Sequence, residues 1–154
     1  MEKNKTALMK ATELLARSEQ SSKNLRQKLL LRKYEENEVE NAIKKLEKYK
    51  YLDDDELCTR QFENLYSEEK LSIRQICVKL VQKGFDSEFV KNLIPDDVDE
   101  RELRVAEKIL EKKYRRQKFD DEKEIYKIKA KLWNYLATKG FTAEIISKTV
   151  ENFL

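Results

Sequence analysis

One sequence pattern occurs three times in this chain, and this repeat constrains the fold more than any other feature. Three stretches align without gaps: NLRQKLLLRKYEENEVENAI from Asn24, QICVKLVQKGFDSEFVKNLI from Gln75 and KLWNYLATKGFTAEIISKTV from Lys131. The columns that are apolar in all three copies are Leu25, Ile76 and Leu132; Leu29, Leu80 and Leu136; Tyr34, Phe85 and Phe141; Val39, Val90 and Ile146; and Ile43, Ile94 and Val150. An internal repeat of this length indicates an array of similar structural units.

Each copy predicts two helices joined by a sharp turn. The first helix has apolar residues four positions apart, which is one face of a 3.6-residue period. It ends at Gly84 in the second copy and at Gly140 in the third, where glycine can adopt the left-handed conformation that terminates a helix. Lys33 occupies this place in the first copy. The same geometry would cost a lysine roughly 1 kcal/mol, so we expect the first turn to be looser.

The helix after each turn is predicted from its capping residue. Asn37 with Glu40 forms a capping-box pattern in the first copy. Ser87 and Thr142 are suitable N-cap residues in the second and third copies, because their hydroxyls can accept a free N–H of the first turn.

A further helix precedes each copy and completes a trio of helices. Its apolar residues have helical spacing in each case: Ala7, Leu8, Ala11, Leu14 and Leu15; Leu57, Cys58, Phe62, Leu65 and Tyr66; and Leu103, Ala106, Ile109, Leu110 and Tyr114. One trio buries too little surface to be stable alone, so the trios are expected to stack. We predict an all-α fold of three tandem three-helix repeats, stacked into an elongated, curved array. The chain is predicted to be one domain, 1–154, with repeats at about 6–50, 53–95 and 99–154.

Composition argues against several classes of function. The chain contains no His, which removes catalytic triads and imidazole bases, and its two Gly residues form no phosphate-binding loop. Cys58 and Cys77 are not part of a C-x-x-C pair. The longest aliphatic runs, such as 29–31, are far below the ~20 residues that span a bilayer. We therefore expect a soluble, cytoplasmic protein without hydrolase or nucleotide-dependent chemistry, one that uses no cofactor and does not bind membranes.

Some residues allow both a structural and a functional interpretation. The acidic run 53–56 has the carboxylates that Mg²⁺ prefers, but we favour an N-cap and first turn of the fourth helix. Trp133 would suit stacking of an unpaired base, although core packing is favoured. Cys58 and Cys77 fall on apolar stripes and are predicted to be core residues.

Charge is sorted along the chain in a way that the net charge of +3 hides. The stretch 23–50 contains nine basic and five acidic residues, and 101–118 contains eight basic and three acidic residues. The stretch 51–69 between them contains seven acidic residues and one arginine. Such alternation is compatible with binding a polyanion along one side, and equally with the charged, solvated faces of a small helical protein.

Four stretches of the chain resemble the RecX regulatory proteins. They are ATELLARSEQSSKNLRQKL near the amino terminus, YLDDDEL in 51–57, IRQICVKLVQKGF in 73–85 and YLATKGFTAEII in 135–146. They have the order and spacing of that family and cover nearly the whole chain. One difference lies between the fourth and fifth helices, where the family tends to carry a Gly-containing turn amid Arg and this chain has EEKLS in 68–72.

The resemblance implies a function without catalysis. RecX-like proteins modulate the bacterial recombinase RecA: they bind mostly in the groove of the filament that RecA forms on single-stranded DNA, and they restrain its ATPase and strand-exchange activities. We therefore expect a RecA modulator, mainly an inhibitor, that acts as a monomer in homologous recombination, DNA repair and the SOS response and binds DNA weakly and without sequence preference. The residues themselves leave two alternatives open: an autonomous DNA-binding helical protein, or a helical scaffold for another protein partner.

Basic side chains are the candidate contacts with the recombinase filament and its DNA. Lys28 and Lys79 share one repeat column, and Arg32, Lys83 and Lys139 share another, so stacked repeats would place like charges on like faces. Contacts of this kind weaken as salt rises. The complete predicted set is Lys28, Arg32, Arg74, Lys79, Lys83, Lys112, Lys113, Arg115, Arg116, Lys129, Lys131 and Lys139. We name no catalytic residue and no metal ligand.

Overall fold

The computed structural model describes residues 4–114 and 118–154, and within these ranges the regular structure is helical. The helices are α1 (Ala7–Arg17), α2 (Ser22–Leu31), α3 (Glu36–Lys48), α4 (Asp54–Glu68), α5 (Ile73–Gln82), α6 (Ser87–Asn92), α7 (Val98–Lys113), α8 (Glu122–Thr138) and α9 (Ala143–Phe153). No strand occurs in the described ranges, and the predicted all-α class is confirmed. None of the described helices is long and apolar enough to cross a membrane.

The chain folds into two compact units. Unit 1 contains Met1–Gln61 and Leu80–Val90, and unit 2 contains Phe62–Lys79 and Lys91–Leu154. The helices α1, α2 and α3 pack on one another in unit 1, and α7, α8 and α9 do so in unit 2. The middle helices, α4 to α6, contribute residues to both units. The elongated, curved array, the single domain and the limits of the three repeats stay predictions.

The repeat columns form the cores of the two units. All six residues of the first two columns, at 25, 76, 132, 29, 80 and 136, have 0% exposure. In the remaining columns only Tyr34 and Ile94 are half-buried, while the other residues are buried. Burying a Leu or Ile side chain contributes about 1.5–3 kcal/mol. The alignment of the three copies therefore correctly predicts which residues stabilise the helical trios.

The same turn follows the first helix of all three copies. The residues at the turn, Lys33, Gly84 and Gly140, have φ angles of 67°, 101° and 89°. In each copy the N–H of this residue donates to the carbonyl three residues earlier, and the next N–H donates to the carbonyl five residues earlier. This pair of bonds is the Schellman termination of a helix. The prediction of a looser first turn is wrong, because Lys33 adopts the left-handed geometry as well.

Close approach explains why glycine is required in two copies but not in the first. A Cβ atom on Gly84 would lie 2.5 Å from Ser21 Oγ, and one on Gly140 would lie 3.2 Å from Ser72 Oγ. Lys33 is exposed, so its Cβ meets no such crowding and only the conformational cost of roughly 1 kcal/mol remains.

Ser21 and Ser72 join consecutive copies of the repeat. The Ser21 hydroxyl accepts a backbone N–H at the start of α2 and donates to the Lys83 carbonyl at 2.6 Å, within unit 1. The Ser72 hydroxyl does the same at the start of α5 and donates to the Lys139 carbonyl at 2.6 Å, within unit 2. Both serines are buried. Each hydroxyl therefore caps the start of one helix and satisfies a free carbonyl at the end of another.

The predicted N-cap residues are only partly correct. Glu35 is the N-cap residue of α3 and makes no side-chain capping bond, so Asn37 lies inside the first turn and the capping-box prediction is wrong. The Ser87 prediction is wrong by one residue, because the Asp86 carboxylate accepts the first-turn N–H at 3.0 Å. Thr142 is confirmed as the N-cap residue of α9.

Replacing Gly84 with Ala should lower the free energy of unfolding by about 2–3 kcal/mol. About 1–2 kcal/mol comes from the left-handed conformation and about 1 kcal/mol from the displaced Ser21 hydrogen bond. Urea-induced unfolding followed by circular dichroism measures this change. The matched control is Lys33→Gly, at the uncrowded equivalent position, which should change stability by less than about 1 kcal/mol. Equal effects of the two substitutions would contradict the close-approach explanation.

Candidate functional site

Predicted basic residues surround two tyrosines in unit 2. Lys113 Nζ lies 4.1 Å from the centre of the Tyr135 ring, and Lys139 Nζ lies 5.4 Å from the same centre. Lys131 Nζ lies 5.8 Å from the centre of the Tyr114 ring. The two rings meet edge to face with their centres 5.8 Å apart. We call Lys112, Lys113, Lys131, Lys139, Tyr114 and Tyr135 the α7–α8 basic cluster.

Lys112 belongs to this group because it lines a cleft of about 400 Å³ together with Tyr135 and Lys139. Among residues 4–114 and 118–154, none of the four cluster lysines forms an ion pair with a carboxylate. Cation–π contacts with Tyr and Phe contribute about 0.5–1 kcal/mol at exposed sites, so the rings position the ammonium groups without neutralising them. The cluster therefore presents several positive charges to solvent on an aromatic base.

Glu69 limits the positive charge beside the cluster. Its carboxylate accepts hydrogen bonds from Arg104 Nε at 2.9 Å and from Lys108 Nζ at 3.1 Å. These bonds, first that of Arg104 and then that of Lys108, lower the pKa of Glu69 below its ordinary value. None of these three residues is among the predicted contacts. The spacing of Arg104 and Lys108 with Lys112, four positions apart on α7, is a signal that could have identified the two cations.

Arg101 holds the segment between α4 and α5 in place from inside unit 2. Its side chain is 1% exposed and packs on the Tyr66 ring at 4.5 Å. Arg101 Nε donates to the Tyr66 carbonyl at 2.9 Å, and Nη2 donates to the Leu71 carbonyl at 3.0 Å. Ser72, the next residue, binds the turn that carries Lys139. The buried arginine thus positions the backbone on which Glu69 and the Lys139 turn both depend.

Glu102, beside Arg101, is also buried. Its Oε1 atom accepts the backbone N–H of Ile73 at the start of α5. Its Oε2 atom has no hydrogen-bond partner among the described residues, and it lies 3.9 Å from Arg101 Nη1. Burial raises the pKa of this carboxyl group above its ordinary value, against the opposing effects of the Ile73 N–H and of Arg101.

Three further predicted basic residues of unit 2 that the structure describes lie outside the cluster. Arg74 is exposed and its side chain flanks Gly140, because a Cβ on that glycine would be 3.2 Å from Arg74 Cβ and Cδ. Lys79 is exposed on α5. Lys129 lines a separate cleft that also contains Phe119.

Three predicted residues belong to unit 1. Lys28 is half-buried, and its carbonyl accepts a hydrogen bond from Arg32 Nη1 at 3.0 Å. Lys83 is exposed and its Nζ atom donates to a glutamine side chain at 3.3 Å. Arg115 and Arg116 lie outside the described residues. That all these cations share one face of the protein stays a prediction.

The structure distinguishes the two interpretations separately for Trp133, for the two cysteines and for the acidic run 53–56. Trp133 is 38% exposed, so the predicted core packing is wrong and base stacking stays a prediction. Cys58 is buried in the core as predicted, whereas Cys77 is half-buried. Asp53 Oδ1 accepts the Glu56 N–H at 3.1 Å, which confirms the N-cap of α4. The part of the chain that the structure describes contains no group of three or more Cys, Asp and Glu side chains placed to hold a metal ion.

The helical trios and the α7–α8 basic cluster define a helical-repeat protein that presents cations around an aromatic base. Residues 7–46 match the family model of the first three-helix domain of RecX, and residues 99–150 match that of the third. The regulatory protein RecX of Caldanaerobacter subterraneus subsp. tengcongensis is 30% identical over 151 residues, which cover 95% of this chain and 70% of that protein. The chain therefore belongs to the RecX family.

Other relatives and solved structures agree with this assignment. The regulatory protein RecX of Clostridium beijerinckii is 29% identical over 147 residues, and the match spans 94% of this chain and 66% of that protein. The regulatory protein RecX of Actinobacillus pleuropneumoniae is 29% identical, and the match covers 90% of this chain and 86% of that protein. The crystal structure of RecX from Lactobacillus salivarius has a TM-score of 0.73 at 19% identity, covering 96% of this chain and 94% of that chain. A second RecX crystal structure has a TM-score of 0.76 at 20% identity, and the match covers 94% of this chain and 71% of that chain. These structures confirm the fold.

Replacing Glu69 with Gln should strengthen binding to polyanions, because Arg104 and Lys108 lose their carboxylate partner. The variant should elute from heparin resin at higher salt than the unmodified chain. The salt dependence of its binding to oligo(dT) should steepen by about 0.7–1.4 in the slope of log K against log salt, if one or both cations reach a phosphate.

Glu144→Gln is the matched control for this substitution. Glu144 pairs with Lys148 on α9 at 3.2 Å, so the control removes the same charge and frees a lysine elsewhere. An increase as large in the control as in Glu69→Gln would show that only net charge matters.

Replacing Glu102 with Gln should make folding stability less dependent on pH. Because the pKa of Glu102 in the folded state is raised above its ordinary value of 4.5, the folded protein retains a proton that the unfolded chain loses. Stability from this group is present below pH 4.5 and is lost as the pH rises through the folded pKa. Gln keeps the acceptor for Ile73 and cannot ionise, so the variant should gain stability relative to the unmodified chain as pH rises. Urea midpoints measured from pH 4 to pH 8 test this, and a constant difference would contradict it.

Proposed function

We propose that this chain is a non-enzymatic modulator of the RecA recombinase, and mainly an inhibitor. It binds in the groove of the filament that RecA forms on single-stranded DNA and restrains ATP hydrolysis and strand exchange. Membership of the RecX family supports this role, because the relatives carry the name regulatory protein RecX. The structural observation that carries the proposal is the α7–α8 basic cluster.

The cluster has the chemistry that a nucleoprotein filament requires of a ligand. Phosphates of the bound strand, or acidic side chains of the recombinase, can bind Lys112, Lys113 and Lys139 without first displacing a carboxylate of the described chain. The Tyr135 ring holds two of these ammonium groups within 5.4 Å of its centre, which reduces the freedom they lose on binding. Such contacts release counterions, so the interaction weakens steeply as salt rises.

Inhibition follows from differential binding rather than from chemistry. A ligand shifts a conformational equilibrium only as far as its affinities for the two states differ. A chain that contacts neighbouring subunits of the filament favours the filament geometry that fits it, and it thereby depopulates the geometry that is active in ATP hydrolysis. The other predicted basic residues that the structure describes are proposed as additional contacts: Lys28, Arg32, Arg74, Lys79, Lys83 and Lys129. We propose that the protein acts as a monomer in the cytoplasm and that its binding to free DNA is weak and independent of sequence.

Removing three charges around the Tyr135 ring should weaken inhibition of the recombinase. We expect the triple variant Lys112→Gln, Lys113→Gln and Lys139→Gln to need about tenfold more protein for half-maximal inhibition, equivalent to 1.4 kcal/mol. The measurement titrates each protein into RecA on single-stranded DNA and follows ATP hydrolysis, with co-sedimentation as an independent measure of filament binding.

The control replaces Lys44, Lys45 and Lys48 on α3 with Gln. These lysines are exposed, and Lys48 also lies near an aromatic ring, at 5.9 Å from the centre of Tyr49, so net charge and surroundings are matched. Equal loss in the two variants would reject the cluster as the contact site. An unchanged rate of ATP hydrolysis at saturating unmodified protein would reject the proposed function itself. A defined footprint on duplex DNA without recombinase would favour an autonomous DNA-binding protein.

A further inference from the structure

Unit 1 contains an apolar cleft that the proposed function does not use. The cleft has a volume of about 460 Å³ and lies between α1, the turn after α3 and the first turns of α4. Its apolar lining includes Leu15, Leu46, Leu52 and Leu57. Pockets that bind ligands usually measure about 300–1,000 Å³ and combine an apolar lining with a few polar groups. The size and lining of this cleft therefore suit an inserted side chain.

Gln20, which lines this cleft, has a buried hydrogen-bond acceptor without a partner among the described residues. The residue lines the cleft and is only 6% exposed. Its Nε2 atom donates to the Leu14 carbonyl at 3.3 Å, which fixes the orientation of the amide, since the reversed amide would set two oxygens against each other. Its Oε1 atom has no hydrogen-bond partner within residues 4–114 and 118–154. A buried acceptor without a partner costs about 1–3 kcal/mol, and a ligand that donates to it recovers this energy.

Charged residues at the rim favour a basic ligand. Glu19 and Arg60 neutralise each other, because Arg60 Nη1 donates to both carboxylate oxygens of Glu19, at 2.8 and 3.0 Å. The remaining charges at the rim are the exposed Asp53 and Glu56 and the single cation Lys50, which leaves one negative charge. Beside them Tyr51 is 74% exposed and extends the apolar lining outwards.

We propose that this cleft docks a peptide segment of a protein partner through one Trp or Tyr side chain that is flanked by basic residues. The aromatic ring packs on the leucines and the flanking cation pairs with Glu56 or Asp53. The N–H or O–H of the ring donates to Gln20 Oε1 after the side chains that cover this buried atom move aside. Buried Trp, Tyr and Arg side chains supply most of the binding energy in many protein interfaces, typically in pockets of this kind. The proposal does not depend on the recombinase being the partner, because none of its residues belongs to the α7–α8 basic cluster.

The test uses three end-blocked synthetic pentapeptides: one with Trp between two lysines, one with Phe in place of Trp, and one with Trp between two glutamates. Each is titrated into the full chain, and heteronuclear NMR follows the Gln20 side-chain amide and the backbone amides of Leu15, Leu52 and Leu57. The Trp–Lys peptide should shift these signals. The Phe peptide should bind about tenfold more weakly, since it leaves the acceptor unpaired, and the glutamate peptide should bind more weakly because of the acidic rim.

Two variants separate the contributions of the acceptor and the rim. Gln20→Leu should abolish the preference for Trp over Phe. Glu56→Lys should favour the glutamate peptide over the lysine peptide. If Gln20→Leu does not fold, this second variant still tests the proposal. Its matched control is Glu36→Lys, an exposed acid in the first turn of α3, which should leave the peptide preference unchanged.

Three results would overturn the proposal. The first is the absence of shifts at millimolar peptide, and the second is equal affinity for the Trp and Phe peptides, as expected if a water molecule satisfies Gln20. The third is a charge preference that Glu56→Lys does not alter. None of these results bears on inhibition of the recombinase, which is measured separately by ATP hydrolysis.

Discussion

The architecture depends on a hydrogen bond from a serine at the start of one helix to the carbonyl of the residue that follows a helix in the next copy. Ser21 makes this bond to Lys83, and Ser72 makes it to Lys139. Both serines are buried, so their hydroxyl groups would be costly to leave without these carbonyl acceptors. An acidic side chain from the first helix of the next copy completes each junction: Asp54 binds Ser22 in unit 1, and Glu102 binds the Ile73 N–H in unit 2. Each junction thus satisfies free backbone groups at two helix ends.

The junction of unit 2 also organises the candidate binding surface. Lys139 contributes its carbonyl to Ser72 and its ammonium group to the Tyr135 ring, so one residue joins the packing of the repeats to the α7–α8 basic cluster. Arg101 fixes Leu71, the residue before Ser72, by a hydrogen bond at 3.0 Å. A hydrogen bond to a charged group typically contributes about 1.5–3 kcal/mol, and losing it would leave the Leu71 carbonyl without this partner. The turn that carries Lys139 is therefore positioned by interactions that lie inside unit 2.

The core could be predicted from the sequence because apolar burial follows a periodic pattern that repeats three times. The N-cap residues could also have been predicted, since Glu35 and Asp86 occupy the alignment column of Thr142, which was assigned correctly. The left-handed turn at Lys33 could not be predicted from the sequence, because a lysine there carries a conformational cost of roughly 1 kcal/mol. The hydrogen bonds of the Schellman motif outweigh this cost. Arg101 resembles any exposed arginine in the sequence, and only the arrangement of three backbone carbonyls around it explains its burial.

Glu69 shows how a nearly neutral protein can retain a local positive surface. An uncompensated row of cations on α7 would repel its neighbours and attract any polyanion, whereas pairing two of them with one carboxylate confines the free charge to the cluster lysines. The left-handed backbone at Glu69, with φ of 53°, ends α4 and brings its carboxylate to α7. A glycine could adopt that backbone more easily, but it would lack the carboxylate. The acidic side chain at this turn is therefore explained by the control of charge on α7 rather than by the conformation of the backbone.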